Sequence, residues 1–211
     1  MSDYDGVMWR ATLSLAFFGL LRISEYAAPS IFEFDPLIHL CVDDVSFVAH
    51  GSVLLVRLKG SKTDPFRMST TLRIASTGHR VCPVTAMLDF LKIRHSGNPF
   101  LFAFKDGQLL TRERVILLLR AAFPENPNLN THSFRRGGAS ALAAAGYPPY
   151  VIRILGRWRS DAFLRYLDFS DSYIASAHAA MIKNGNLPLA LIGSPGLGHP
   201  RGNTRRKGQR Y

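Results

Sequence analysis

The chain has 211 residues, with 26 Lys and Arg against 15 Asp and Glu, so its formal net charge is +11. A hydrophobic fraction of 47% excludes a wholly disordered basic chain, because such chains lack the apolar residues of a core. The length fits one globular domain of ordinary size, or at most two small ones. The surplus of positive charge must then lie on a surface, and a strongly basic surface typically faces phosphate groups.

The first predicted element is a helix that begins near Met8 and ends near Pro29. Its apolar residues recur at intervals of three and four, and a proline disfavours helix in the residue before it. Arg22 follows an apolar run inside this helix. We therefore expect a buried arginine with an anionic partner, which is either Glu25 or a phosphate, because an unpaired buried charge is costly.

A block of strands follows the first helix. Apolar and β-branched residues predict three strands, which cover 39–48, 52–58 and 68–74. Short turns join them, so we expect a small three-stranded antiparallel sheet. The turn that begins at Lys59 and ends at Pro65 carries Lys62 at its tip.

The rest of the folded chain is predicted to be helical, which makes the fold class α+β and mainly α-helical. The predicted helices cover 84–94, 111–123, 132–145, 148–155, 160–167 and 171–183. Thr111 is expected to cap the second of them. Residues 185–211 contain prolines, glycines and five cations but no acid, which predicts a flexible basic tail. We therefore expect one folded domain over 1–184 and a tail over 185–211.

The two cysteines, Cys41 and Cys82, each lie in an apolar stretch. Two cysteines make neither a disulfide framework nor a zinc site, so we predict that both are buried small hydrophobes. The longest apolar run, 13–21, is far shorter than the roughly 20 residues that span a bilayer. The acidic, aromatic N-terminus is unlike a signal peptide. We expect an intracellular protein with no membrane partner, nuclear if its host is a eukaryote.

The segment T-H-S-F-R-R-G-G places His132 and Arg135 three residues apart at the start of a predicted helix. Side chains at this spacing lie on one face, and the free amides of a helix start favour an anion. The segment therefore predicts a phosphate site. The motif is short and occurs often by chance, and its ordinary alternative is a capping histidine beside a solvated arginine.

Five motifs in a fixed order resemble those of the tyrosine recombinase, or phage integrase, superfamily. They are Arg22 in L-L-R-I-S-E, Lys62 in G-S-K-T-D, His132 and Arg135 in H-S-F-R, the segment L-G-R-W, and Tyr166. The likeness covers roughly residues 10–180. The phrases S-K-T-D-P-F-R and L-G-R-W-R-S-D-A-F-L-R-Y further resemble recombinases of eukaryotic mobile elements of the DIRS and Crypton kind.

This resemblance implies the fold of a tyrosine recombinase catalytic domain and the activity of a site-specific DNA recombinase or integrase. In that reaction the Tyr166 hydroxyl attacks a DNA phosphodiester, forms a 3′-phosphotyrosyl link and releases a 5′-hydroxyl end. The covalent intermediate keeps the bond energy, so no metal and no other cofactor is implied. The implied partner is double-stranded DNA, on which copies of the chain assemble as a dimer or tetramer.

The residue chemistry suits the implied roles. Arg22 and Arg135 would hold the non-bridging phosphate oxygens, because guanidinium is planar, permanently charged and bidentate. Lys62 would protonate the leaving 5′-oxygen. His132 would accept the tyrosine proton or bond a phosphate oxygen, and Glu25 would orient Arg22.

The chain departs from the family pattern at Arg157, where the family usually has His or Trp directly after the Leu-Gly pair. Either Arg157 donates the hydrogen bond to the phosphate, or a small helix shift lets the indole of Trp158 do so. We favour Trp158, for which the alternative is a packing aromatic. The family also normally has a separate DNA-clamping domain, and little sequence precedes Arg22 here, so we expect the chain alone to hold DNA weakly.

Other residues compete for these roles or extend the site. Lys59 is the alternative to Lys62, and Tyr173 is the alternative to Tyr166. Three further arginines are candidate contacts for the DNA backbone: Arg136, Arg153 and Arg159.

A function of another class is a non-catalytic DNA-binding module, because 139–158 would pass as a helix-turn-helix. An inactive remnant of a mobile element is a related alternative. The DNA-binding module explains the charge and the tail but leaves the positions of Arg22, Lys62 and Tyr166 unexplained. An RNA-binding protein explains the charge alone, since the sequence lacks an aromatic RNA-binding signature.

Overall fold

The structure is a computed structural model, and it describes residues 3–59, 69–95, 97–160, 163–164 and 171–184. The chain divides into two compact units, Met1–Asp168 and Phe169–Tyr211. Within these described ranges, no helix is long and apolar enough to cross a membrane. The site described below lies entirely in the first unit.

Helices dominate the described residues. In the first unit they are α1 (Asp3–Phe18), α2 (Ile23–Tyr26), α3 (Pro83–Ile93), α4 (Arg112–Ala122), α5 (Ser133–Ala144) and α6 (Pro149–Gly156). The second unit contains α7 (Asp171–Asn184). Proline stands in the first turn of both α3 and α6, where its missing N–H costs nothing. Thr111 caps α4 as predicted, since its side chain accepts a hydrogen bond from the Arg114 amide.

The predicted antiparallel sheet is confirmed. Its strands are β1 (Val45–Val48), β2 (Val53–Leu58) and β3 (Thr70–Ala75), in the order β1-β2-β3. Leu54, Val56 and Leu58 alternate along β2 and are buried. This alternation is the expected pattern for a sheet with one face on the core. The fold class is therefore α+β and mainly helical, as the sequence predicted.

The first predicted strand, 39–48, is wrong in its first half. Val42–Asp44 forms a turn of 3-10 helix, and only Val45–Val48 is a strand. The cause is the buried carboxylate of Asp44. It accepts a hydrogen bond from the Cys41 amide at 2.8 Å and pairs with Lys59 at 2.5 Å and Arg57 at 2.9 Å. The alternation of apolar residues predicts a strand here, but the chain turns instead so that the buried Asp44 carboxylate can be paired.

The first predicted helix is two helices separated by a turn. Helix α1 ends at Phe18, and Leu20 has a positive φ of 48°. At Gly19, a Cβ atom would lie 2.8 Å from the Leu15 carbonyl oxygen, so only glycine fits where the chain turns away. Residues 19–22 are called the arginine turn below, because they lead into Arg22.

Two apolar clusters lie on either side of the arginine turn. The main core joins α1, the sheet, α3 and the segment 100–104. A smaller cluster joins α5 and α6 and consists of Leu20, Ala139, Ala143, Ile152 and Phe163. Leu21 belongs to the first cluster and Leu20 to the second, so the arginine turn is where the two meet.

Both cysteines are free and buried, as predicted. Cys82 occupies the N-cap position of α3. Burial alone would raise the pKa of its thiol, but hydrogen bonds from Ser76 and from Thr85 lower that pKa to about 6.

Tyr26 is fully buried, and its hydroxyl has no hydrogen-bond partner among the residues that the structure describes. Burial, with a further contribution from Glu25, raises its pKa above the ordinary value for tyrosine. An unsatisfied buried hydroxyl loses its hydration without compensation. We expect Tyr26→Phe to leave the free energy of unfolding unchanged or to raise it by up to about 1 kcal/mol.

Urea denaturation of the Tyr26→Phe variant measures this change. Tyr4→Phe is the matched control, because the Tyr4 hydroxyl donates to the Ala103 carbonyl at 3.2 Å. In the control, the free energy of unfolding should fall by about 1 kcal/mol. A comparable loss in Tyr26→Phe would contradict the prediction.

Candidate active site

A cavity of about 260 Å³ opens beside the arginine turn. Its volume far exceeds the roughly 10–15 Å³ that one water molecule needs, so it has room for a phosphate group. Seven residues line it: Arg22, Ile23, Ser24, His132, Arg135, Arg136 and Trp158. Of these lining residues, three are arginines and none is acidic, so the cavity favours an anion.

Arg22 differs from its predicted environment, because its side chain is 46% exposed rather than buried. The reason is the end of α1 at Phe18, which places Arg22 at the N-cap of α2 instead of inside a helix. Of the two partners that the sequence left open, Glu25 does contact Arg22. One Glu25 oxygen accepts from the Arg22 guanidinium at 3.1 Å, and the other accepts from the Arg22 backbone amide at 2.7 Å.

Arg135 is the buried arginine of the site and is 5% exposed. It lies in the first turn of α5. Its guanidinium donates to the Leu20 carbonyl at 2.6 Å and to the Gly156 carbonyl. Arg135 therefore joins the arginine turn to the end of α6 while also lining the cavity.

Trp158 stacks on Arg135, with the guanidinium carbon 4.3 Å from the ring centre. It also packs on Phe163, with ring centroids 5.5 Å apart. Gly156 makes this position possible, because any Cβ atom there would overlap the indole ring. Trp158 thus restricts Arg135 from one side and forms part of the cavity wall.

Arg157 is not among the residues that line the cavity. Its side chain is 14% exposed and donates to the Glu25 carboxylate at 2.9 Å, and also to backbone carbonyls of the arginine turn. Burial lowers the pKa of its guanidinium, Glu25 opposes this change, and Arg22 adds to it. Of these two residues, Trp158 lines the cavity and Arg157 does not.

His132 and Arg136 complete the cavity wall, and both are exposed. The loop before α5 fixes His132, because its amide donates to the Asn130 side chain at 2.9 Å. The Ser133 hydroxyl accepts in turn from the backbone amide of Asn130 at 2.9 Å. The spacing of His132 and Arg135 predicted a shared face, and both do line the same cavity.

The remaining predicted residues fall into two groups. Arg153 and Arg159 are exposed and do not line the cavity. Lys62 and Tyr166 lie outside the described residues, as does the side chain of Tyr173.

Lys59, the alternative to Lys62, is held in the ion cluster of Asp44. Its ammonium also donates to the Pro36 carbonyl at 2.6 Å and to the Cys41 sulfur at 3.2 Å. Burial would lower its pKa, but hydrogen bonds to Asp44 and Cys41 raise it. These contacts favour a structural role for Lys59.

Sequence reasoning missed the backbone acceptors that organise the site. The carbonyls of Gly19, Leu20 and Gly156 all accept hydrogen bonds from Arg135 or Arg157. Carbonyl positions leave no side-chain motif. The usable signal is glycine at positions 19 and 156, where neighbouring groups approach too closely for a side chain.

Several solved structures with a similar fold are recombinases or integrases. XerH recombinase bound to palindromic difH substrate is 14% identical, with a TM-score of 0.61 over 87% of this chain and 48% of that one. XerA recombinase is 14% identical, with a TM-score of 0.58 over 89% of this chain and 65% of that one. The Tn1549 transposon integrase is 19% identical, with a TM-score of 0.54 over 83% of this chain and 57% of that one.

These likenesses show that the chain has the fold of a tyrosine recombinase catalytic domain. The chain spans about half to two thirds of the length of these proteins. Neither a protein-family model nor a curated protein matches the sequence.

Proposed function

We propose that the chain is the catalytic domain of a site-specific DNA recombinase or integrase. It cuts and rejoins strands through a 3′-phosphotyrosyl intermediate. The observation that carries the proposal is the cavity. Three distant parts of the sequence contribute Arg22, His132, Arg135 and Trp158 to its wall. The sequence motifs alone indicate these same four residues as members of a phosphate site.

Double-stranded DNA is the proposed substrate. XerH, the Tn1549 integrase and FLP recombinase are each described in complexes with DNA. An arginine-lined cavity of this size suits one phosphodiester at a time. The predicted basic tail would add contacts to the backbone that do not depend on base sequence. Assembly of several copies on DNA is part of the proposal and follows from the resemblance.

The chemistry is a transesterification in two steps. The Tyr166 oxygen forms a bond to phosphorus, the bond from phosphorus to the 5′-oxygen breaks, and that oxygen leaves as a hydroxyl after taking a proton from Lys62. Arg22 and Arg135 stabilise the charge that develops on the non-bridging oxygens. A 5′-hydroxyl then attacks the phosphotyrosyl link, which restores a phosphodiester and frees Tyr166.

Tyrosine is a poor nucleophile at neutral pH, because its reference pKa is about 10. In the proposed reaction the cationic cavity would favour its phenolate. His132 is exposed and lines the cavity, and its imidazole would accept the phenol proton or bond a phosphate oxygen.

A covalent trapping experiment tests the proposal. The probe is a pool of labelled duplexes with random sequence around a nick, placed so that the short 5′-hydroxyl fragment diffuses away after cleavage. After denaturation, we expect a labelled species of higher mass than the protein. It should form in the presence of a chelator, because the link needs no metal. It should be absent from Tyr166→Phe, which lacks the attacking oxygen.

Tyr173→Phe is the matched control, since Tyr173 is the alternative nucleophile, and we expect it to keep the covalent species. Loss of the species in Tyr173→Phe but not in Tyr166→Phe would show that Tyr173, and not Tyr166, is the nucleophile. A chelator-sensitive product would overturn the mechanism. Binding of intact duplex with no covalent species would instead favour the non-catalytic DNA-binding module, for which α5 and α6 would be the helix pair.

A further inference from the structure

We propose that Arg157 is a positioning residue, which fixes Arg22 at the cavity by holding the carboxylate of Glu25. The inference rests on the proposed function, because it concerns how the cavity binds one phosphate. It assigns to Arg157 a role other than direct contact with the substrate. Four observations carry it: the shared carboxylate, the commitment of the guanidinium to protein acceptors, the local charge and the backbone conformation.

The first observation is that Glu25 links the two arginines. Its Oε2 accepts from the Arg157 guanidinium at 2.9 Å and from the Arg22 backbone amide at 2.7 Å. Its Oε1 accepts from the Arg22 guanidinium at 3.1 Å. Arg157 therefore fixes the carboxylate that in turn orients the exposed Arg22 side chain.

The second observation is that the Arg157 guanidinium is committed to the protein. Besides Glu25, it donates to the carbonyls of Gly19 at 3.0 Å and Leu20 at 3.2 Å. Its side chain is 14% exposed, against 46% for Arg22. A direct contact between Arg157 and phosphate would break several of these bonds, whereas Arg22 already lines the cavity.

The third observation concerns charge. With Arg157 present, one carboxylate lies between two guanidiniums and the group keeps a net positive charge. Without Arg157, Glu25 would pair with Arg22 alone and cancel its charge. The carboxylate would then compete with phosphate for the same guanidinium. Arg157 thus leaves Arg22 electrostatically available to a phosphate.

The fourth observation is the backbone of Arg157, which has left-handed φ and ψ of 57° and 39° and ends α6. Its carbonyl lies 3.4 Å from the Arg22 guanidinium and accepts a hydrogen bond from it. Non-glycine residues adopt this conformation infrequently. Here the turn brings the carbonyl of Arg157 to Arg22 itself, and the side chain of Arg157 to Glu25, the carboxylate that pairs with Arg22.

A binding experiment tests the inference without requiring cleavage. The probe is inorganic phosphate, followed by the fluorescence of Trp158 in a Trp9→Phe background, with sodium chloride at matched ionic strength as the blank. Four proteins are compared: the parent, Arg157→Gln, Glu25→Gln and the double variant. Arg120→Gln is the control for loss of one positive charge, because Arg120 is exposed on α4 and does not line the cavity.

We expect Arg157→Gln to weaken phosphate binding by about tenfold, as for loss of one hydrogen bond to a charged group. The control should bind like the parent. The effects of Arg157→Gln and Glu25→Gln should not add, because Arg157 acts through Glu25. Thermal unfolding is measured in parallel. If Arg157→Gln does not fold, the double variant is compared with Glu25→Gln instead, because neither protein has a carboxylate at position 25. The two proteins are then expected to bind phosphate with equal affinity.

Parent-like binding by Arg157→Gln, or additive losses in the double variant, would overturn the inference and leave the proposed function intact. Absence of phosphate binding by the parent would also overturn it, because Arg157 would then have no anion site to organise. Phosphate binding by the parent without a covalent DNA species would count against the proposed function alone. In that case the affinities of the variants still decide the role of Arg157.

Discussion

Arg135→Lys is expected to lower the single-turnover rate of phosphotyrosyl formation by about 10²–10³-fold, the typical cost of losing one transition-state donor. Lysine keeps the charge but has a single donor group. It cannot donate to the carbonyls of Leu20 and Gly156 and also present two parallel N–H groups to a phosphate. Its ammonium also lacks the planar face that stacks on Trp158.

Stability separates the chemical effect of this substitution from a structural one. Arg135→Ala removes the donor from buried carbonyls, and we expect it to lose about 2–4 kcal/mol of unfolding free energy. Arg135→Lys should lose less and remain folded at room temperature, so that its rate can be measured on the nicked DNA pool. Arg120→Lys, the same substitution at an exposed position of α4 away from the cavity, is the matched control. A folded lysine variant within fivefold of the parent rate would contradict the bidentate role.

Gly138→Ala is expected to destabilise the protein by about 1–3 kcal/mol and to reduce cleavage by about 10²-fold. A Cβ atom at this position would lie 2.5 Å from the Leu20 side chain and 2.6 Å from the Phe17 carbonyl oxygen. The backbone oxygen cannot move without disturbing the end of α1. Helix α5 would shift instead, and Arg135 would shift with it.

The neighbouring glycine provides a matched control with the opposite expected sign. At Gly137 the nearest atom to a Cβ would be on the Phe17 ring at 3.4 Å, an ordinary van der Waals contact. Alanine is the better helix former, so Gly137→Ala should raise the free energy of unfolding by about 0.5–1 kcal/mol and keep activity. Urea denaturation of the two variants gives the comparison. Equal effects at both positions would contradict the proposed close packing of α5 on α1.

The sequence predicted most of the secondary structure, because the signals for these helices and strands come from side chains. Strand β2 alternates in burial, Thr111 has a capping hydroxyl, and proline begins α3 and α6. The pairing of Arg22 with Glu25 also follows from side-chain spacing. His132 and Arg135 were predicted to share a face for the same reason, and the structure brings both to one cavity.

The features that the sequence did not predict depend on backbone geometry or on long-range ion pairs. The positive φ of Leu20 ends α1 early and leaves Arg22 exposed, and leucine gives no local signal for such a turn. The first strand is shorter than predicted because Asp44 pairs with Arg57 on β2 and with Lys59 just beyond it. The sequence around Asp44 gives no sign of these distant partners. Lys62 and Tyr166 stay predictions, since both lie outside the described residues.

The Leu20 carbonyl accepts from both Arg135 and Arg157, so a single peptide oxygen receives two donors that lie 115 and 137 residues later in the chain. Contacts with such wide sequence separation form late, because the entropy cost of closing a long loop must be met before the contact can stabilise the chain. During synthesis, the arginine turn emerges well before its donors are translated. The anion site is therefore expected to be among the last parts to form during folding, and a chain truncated before Gly156 would lack it.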